Sequence, residues 1–377
     1  MREGWTYKKL GEVATFINGY AFKPDQWKDS GTPIVRIQNL NNPDAPYNYY
    51  DGEVPNKVKI KDGDLLISWS ASLGTYIWKG GDAFLNQHIF KVEFDKLDVD
   101  KMFLKYAVTS KLDAMTQLVH GATMKHIVKK DFDNTPIPYP SLSEQQSIVA
   151  ELDKINELIS LKKAQLSDLD ALAQSIFYDM FGDPIVNEKG WEVKKLGEIS
   201  EIGTGSTPNR KTESFYIGNI PWIKSTEVCN CAIFETQEHI SSDALEKSNC
   251  TIYPANTILI AMYGQGKTRG QVAIMKIAAC TNQAVAAVLP SNNIESVFLY
   301  KHLQFMYQSI RSMARGGNQE NLNLSLVKSI TVLLPPLPLQ QDFAKRIELI
   351  EQQKAQISST IKDLETLLAS RMQYWFD

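Results

Sequence analysis

The segment Ala261-Met-Tyr-Gly-Gln-Gly-Lys267-Thr268 fits the relaxed phosphate-binding P-loop pattern, with Ala in place of the first Gly. A P-loop needs a strand before it and a helix N-terminus after it, so that backbone amides converge on phosphate. The strand-like run Thr257–Ile260 meets the first condition. The next residues, Arg269-Gly-Gln-Val-Ala-Ile-Met275, read as another strand, and no apolar run ending in a metal-binding Asp comes after them. The spacing therefore predicts a hairpin tip. There Tyr263, Gln265, Lys267, Thr268 and Arg269 could touch phosphates or base edges. A nucleoside triphosphatase using residues 261–268 stays as a competing reading. Other chemistry is poorly represented. The five histidines (His88, His120, His126, His239 and His302) form no ligand pair at helical spacing. Pro24-Asp25 has no Glu-x-Lys or Asp-x-Lys at a usable distance downstream, and no Asn-Pro-Pro-aromatic tetrad marks an amino-methyltransferase. These residues predict a binding protein with no catalytic or metal centre of its own.

Several loops carry side chains suited to reading nucleic acid. Arg, Asn, Gln, Ser and Thr can pair with purine edges or contact phosphates. In the first half these are Arg36, Gln38 and Asn39, then Ser68, Ser70 and Ser72, then Asn86 and Gln87. His120, Thr123 and Lys125 lie in the polar stretch Gly121-Ala-Thr-Met-Lys125 and its flanks. The second half offers Thr204, Ser206, Thr207 and Arg210, the run Lys224-Ser225-Thr226, and Asn282 with Gln283. Arg315, Asn318, Gln319 and Asn321 complete the set. Any one loop could be a solvated turn. Recurrence at matching places favours function.

That recurrence is the chain's main feature. Trp5-Thr-Tyr-Lys-Lys-Leu-Gly-Glu12 returns as Trp191-Glu-Val-Lys-Lys-Leu-Gly-Glu198. A glycine comes after each copy (Gly19, Gly205), then a proline opening a strand-like run at Pro33 and Pro221. Gly63-Asp-Leu-Leu-Ile-Ser68 matches Asn256-Thr-Ile-Leu-Ile-Ala261, and Asn86-Gln87 matches Asn282-Gln283. Each half closes on prolines (Pro136-Ile-Pro-Tyr-Pro140, Leu333-Leu-Pro-Pro336) and then Gln145-Gln146 or Gln340-Gln341. A period near 190 residues is too long for a solenoid unit and marks two copies of a whole domain with its connector. Short β-branched and aromatic runs, interrupted by helical stretches at 99–118 and 294–314, predict a mixed α+β domain in each copy.

After the prolines the texture changes. Ile148, Leu152, Ile155, Ile159, Leu166, Leu169, Ala173, Ile176 and Met180 alternate at spacings of four and three, with Lys162 in one slot. Phe343, Ile347, Ile350, Ile357, Ile361, Leu364, Leu368 and Trp375 do likewise, with Lys354 and Arg371 in two slots. Neither segment has an internal Gly or Pro, and more than four heptads at period 3.5 predict a coiled coil. The two seams have each other as partners, antiparallel, since a whole domain lies between them. The expected divisions are domains at 1–140 and 184–336 and helices at 141–183 and 337–377.

Composition sets the remaining bounds. The 377 residues are 43% hydrophobic and 22% charged, as in globular proteins. No apolar run approaches the roughly 20 residues of a membrane span, and the first residues carry no secretory pattern. Cys229, Cys231, Cys250 and Cys280 fit neither a disulfide framework nor a common zinc spacing. A cytoplasmic protein with reduced cysteines is expected. Net charge is −3, but the acidity concentrates in residues 141–183, with 3 Lys+Arg against 8 Asp+Glu. The two long domain segments are near neutral, which permits DNA contact by local basic loops rather than by a wholly basic surface.

The order of these motifs resembles the specificity (S) subunit of Type I restriction–modification systems. The resemblance rests on Trp-x-x-Lys-Lys-Leu-Gly-Glu opening each half, Gly205-Ser-Thr-Pro208 with Ile220-Pro-Trp-Ile223, and Thr281-Asn-Gln-Ala284. Gly121-Ala-Thr-Met-Lys-His126, Lys130-Asp-Phe-Asp-Asn-Thr-Pro-Ile-Pro138 and Pro140-Ser-Leu-Ser-Glu-Gln-Gln146 add to it, and it covers essentially the whole chain. Leu339 stands where the first copy has Glu144, and Gly316-Gly-Asn-Gln lacks the Thr-Met-Lys of the first copy. The resemblance implies two target recognition domains, each reading one half of an asymmetric double-stranded DNA site, with the helices setting their separation. It implies a non-catalytic chain that binds no cofactor and docks two methyltransferase subunits on its helices. S-adenosylmethionine would belong to those partners, and ATP and Mg to a motor–nuclease subunit where one exists. A coiled-coil scaffold without DNA binding is the remaining alternative.

Overall fold

The proline-rich strands that close each half pair with the strands that open it. In this computed structural model, which describes residues 5–118, 127–264, 266–315 and 321–377, Thr6–Lys9 lies antiparallel to Pro136–Tyr139. Val193–Lys195 lies likewise against Thr331–Leu333. The chain forms two units: Met1–Lys163 with Ser359–Asp377, and Ala164–Ser358.

In the first unit, strands Thr15–Asn18, Ile89–Glu93, Leu65–Ser68 and Gly74–Ile77 make one four-stranded sheet, in that spatial order. A second sheet orders Asn48–Tyr50, Thr32–Val35, Ala83–Leu85 and Lys59–Ile60. Helix Lys101–Leu118 completes the domain. The second unit repeats the plan with a five-stranded and a three-stranded sheet, adding the edge strand Cys231–Ile233. Its helical stretch is broken at Met306 into Ser296–Phe305 and Tyr307–Ser312. The α+β expectation holds in both copies.

The repeated glycines have a steric cause. A Cβ on Gly19 would lie 2.2 Å from the Asn86 carbonyl oxygen, and one on Gly205 only 1.8 Å from that of Thr281. Backbone crosses backbone there, and only a residue without a side chain fits. The repeated glutamines have an equally specific task. Buried Gln145 donates to the Pro140 carbonyl (3.0 Å) and accepts from the Asp100 N–H (2.9 Å). Gln340 does the same with Pro335 (2.7 Å) and Glu295 (2.9 Å). Asp100 and Glu295 in turn cap the domain helices through the N–H groups of Phe103 and Phe298. One amide thus ties the start of each long helix to the start of its domain's helix.

Those long helices are Leu142–Phe181 and Leu337–Phe376, 40 residues each. Ser141 and Glu144 form a capping box at the first start, Ser141 N–H and hydroxyl both donating to the carboxylate. Within the first unit Glu151 meets Arg371 and Lys163 meets Glu365. Within the second, Asp170 meets Lys354 and Phe177 meets Phe343. The numbers fall along one helix as they rise along the other, so the pair is antiparallel. The charged residues Lys354 and Arg371, which take seam slots, are therefore ion-paired. Glu151 grips the Arg371 guanidinium and also accepts from Trp375 Nε1 at 3.0 Å. The seam departs from expectation at both ends: at the close of the second helix Phe376 is fully buried and Trp375 half-buried. At the close of the first, Phe177 and Phe181 are fully buried, whereas Ile176 and Met180 are only half-buried. There the helix leaves heptad spacing to pack Ala173, Phe177 and Phe181 on Phe298 of its own domain.

Candidate nucleic-acid interface

Each unit ends a half-buried strand on a basic residue, and the same devices fix that residue both times. Strand Thr32–Val35 leads to Arg36, and Ile220–Ile223 leads to Lys224. The repeated Asn-Gln motif pins the strand end just before each: Asn86 N–H donates to the Val35 carbonyl (3.1 Å) and Asn282 N–H to that of Ile223 (3.0 Å). The next turn is capped by a side chain three residues on. Arg36 N–H donates to Asn39 Oδ1 at 3.1 Å, and Lys224 N–H donates to Glu227 Oε1 at 2.9 Å.

The side chains then diverge. Arg36 stacks over Trp27, 4.8 Å from the ring centroid, and donates from Nη1 to Asn48 Oδ1 at 3.0 Å. Lys224 Nζ donates to Glu238 Oε1 at 2.7 Å, while Arg210 Nη1 reaches Oε2 of the same carboxylate at 2.6 Å. Arg210 lies over Tyr216 and Trp222, at 4.2 and 5.0 Å. Hydrogen bonds from Lys224 and then Arg210 hold the Glu238 carboxyl below its ordinary range.

Around this centre, Gln38 is exposed beside Pro46, and Thr226 is exposed next to half-buried Ser225. Thr207 Oγ1 donates to Gln283 Oε1, and Thr204 Oγ1 to the Val285 carbonyl at 3.0 Å. Ser206 N–H donates to the Thr281 carbonyl, so the Gly203–Arg210 loop lies along the Asn282-Gln283 segment. Gln87 is exposed, with Nε2 3.2 Å from His88 Nε2, and Ser72 is half-buried.

Residues 261–268 do not make a P-loop. Strand Ile258–Ala261 pairs antiparallel with Val272–Met275, and no helix comes directly after Lys267. Tyr263 and Lys267 are exposed, Thr268 and Arg269 half-buried. Tyr307 and Arg311 secure the tip by donating to the carbonyls of Lys267 (2.8 Å) and Arg269 (3.2 Å).

Three expected contact residues are corrected by burial. Asn39 is inside, holding the Ala45 and Pro46 carbonyls besides its cap. Ser68 is fully buried and donates to the Ser72 carbonyl at 2.5 Å. Ser70 is buried beside it. These shape the loops from within. His120, Thr123, Lys125, Gln265, Asn318 and Gln319 lie outside the described residues, as does the Arg315 side chain, while Asn321 is exposed. Sequence reasoning missed Trp27, Asn48, Tyr216 and Glu238. Asn48 and Glu238 reach their cations only across a strand pair, at separations of 12 and 14 residues that no local motif marks.

Two copies of one α+β module, each presenting a fixed cation among polar loops and each built onto a long helix, define a duplicated recognition protein. The chain belongs to the Type I restriction modification DNA specificity domain family, whose model matches residues 2–171 and again 188–366. It is 25% identical over 372 residues to the Type I restriction enzyme MjaIX specificity subunit of Methanocaldococcus jannaschii, covering 91% of this chain and 86% of that one. With the EcoBI specificity subunit of Escherichia coli it shares 27% identity over 384 residues, covering 92% and 79%. Its fold resembles the S subunit of a Type I restriction–modification system from M. genitalium, with a TM-score of 0.58, 17% identity, and coverage of 99% and 96%.

Proposed function

We propose that this chain is the DNA-reading, non-catalytic subunit of a Type I restriction–modification complex, each unit selecting one half of an asymmetric bipartite duplex site. The observation that carries this reading is the duplicated strand end. One framework holds Arg36 in one copy and Lys224 in the other, with different neighbours and hence different donor patterns for base edges. The helix pair would dock two methyltransferase subunits, which would supply S-adenosylmethionine and modify adenine. A motor–nuclease subunit, where present, would use ATP and Mg. The work would take place in the cytoplasm. Selection of bound sequences from a random duplex library, using the full chain with its co-purifying subunits, tests the proposal. Two short, unlike motifs at a fixed spacing are expected; enrichment of no sequence, or of a perfect palindrome, would refute it.

A further inference from the structure

The two strand ends carry their divergence at one structural address. Pro33 and Pro221 occupy matching places in their strands, so Ile34 corresponds to Trp222 and Arg36 to Lys224. Across the antiparallel pair Ile34 faces Asn48, and Trp222 faces Glu238. The acceptors Asn48 and Glu238 therefore sit at equivalent register positions, each opposite the residue two before the cation. We propose that cation and cross-strand acceptor form one exchangeable specificity element, Arg36 with Asn48 in one unit and Lys224 with Glu238 in the other. The acceptor acts as a positioning residue that aims the cation at base-edge acceptors such as guanine O6 and N7. The inference rests on the DNA-reading function above and names the residues that set its selectivity.

Structural glue is the competing explanation, and the energetics weigh against it. The Lys224–Glu238 and Arg210–Glu238 pairs are partly solvent-exposed, with side chains 25–50% exposed, and ion pairs of that kind add little to stability. The turn is already fixed by its cap and by the Asn-Gln anchor. The acceptor adds direction. Asn48 engages Nη1 of the Arg36 guanidinium, and a guanidinium has five N–H donors in a rigid fork. Trp27 supports one face of that fork, as Tyr216 and Trp222 support Arg210. A cation held at its base by a strand and at its flank by a ring is preorganised for a planar acceptor pair. The acceptor's chemistry also differs between units. Neutral Asn48 holds one cation, whereas the Glu238 carboxylate holds two, recruiting Arg210 from the Gly203–Arg210 loop. The units would therefore read different bases with the same backbone.

Random-duplex selection with the full chain and its co-purifying subunits tests this, comparing wild type with Glu238→Gln, Asn48→Ala and the exchange Lys224→Arg/Glu238→Asn. Glu238→Gln should reduce preference at one or two positions in one half of the enriched site by roughly five- to a hundredfold, the worth of a bidentate base contact. The other half should stay unchanged. Asn48→Ala should do the converse, and the exchange should bring a preference from the Arg36 half into the Lys224 half. If Glu238→Gln or Asn48→Ala keeps the wild-type motif, with binding equal or uniformly weaker, the acceptors are only structural and the proposal fails. A wild-type chain that enriches no sequence overturns the DNA-reading function itself, and the proposal with it.

Discussion

His302 makes the second unit sensitive to acid. Its ring is buried between Phe177 and Phe298, and Nε2 accepts the Leu333 N–H at 3.0 Å. An acceptor at Nε2 places the proton on Nδ1, so the folded ring is neutral. Burial lowers its pKa from 6.5 to about 3. The unfolded chain thus binds a proton between those values where the folded chain does not. Stability rises with pH across this window and is lost as pH falls from 6.5 toward 3, at about 1.4 kcal/mol per pH unit. By pH 5 the loss attributable to His302 is about 2 kcal/mol, a large share of typical domain stability. The comparison is wild type against His302→Gln, whose amide oxygen can still accept the Leu333 N–H but cannot titrate. Urea unfolding at pH 7, 6 and 5, monitored by tryptophan fluorescence, should show the variant gaining on the wild type by that amount. Parallel pH profiles for the two proteins would refute the assignment.

Gly205→Ala should destabilise the second unit by about 1–3 kcal/mol or more, because backbone must move to admit the Cβ; a thermal melt unchanged from wild type would contradict this. If the Lys267 loop contacts DNA, Lys267→Ala should weaken binding to all duplexes and reduce the slope of log affinity against log salt by about 0.9, as for one lost phosphate contact. Loss of a single base preference, measured by competition, would instead make Lys267 a base reader. Inserting one heptad in each long helix keeps the seam and adds roughly 10 Å. If the two units read two half-sites, their sequences should persist with a spacer longer by about 3 bp, read from the motifs enriched in random-duplex selection, and an unchanged spacer would show that the helices do not set it.

Much of the architecture was legible because it rests on periodicity. The heptads from Ile148 and Phe343 name the helix pair, and the repeated Gly, Asn-Gln and Gln-Gln motifs mark the points where backbone crosses or elements are tied. Interactions across a sheet were not legible. Nothing near Lys224 announces Glu238, since their meeting depends on a register that only folding sets. Polar residues in loops misled for a related reason: Asn39 and Ser68 bond to backbone carbonyls and so are buried at little cost. At one end of the seam, the large aromatic surfaces of Phe177 and Phe181 outweighed the heptad pattern that favoured Ile176 and Met180.

The first unit is discontinuous in the chain, because Ser359–Asp377 completes what Met1–Lys163 begins. Its core includes Phe376, fully buried against Phe103, and Trp375 stacked on Trp5. During synthesis all of Ala164–Ser358 must be polymerised before those side chains exist. At 5–20 residues per second this interval lasts roughly ten to forty seconds. The second unit, continuous in sequence, has most of its strands made in that time. The nascent first unit meanwhile waits with an open apolar face around Phe103 and half of its long helix unpartnered. That face is where a chaperone would be needed, and where a ribosome stalled before residue 359 would leave the greatest risk of aggregation.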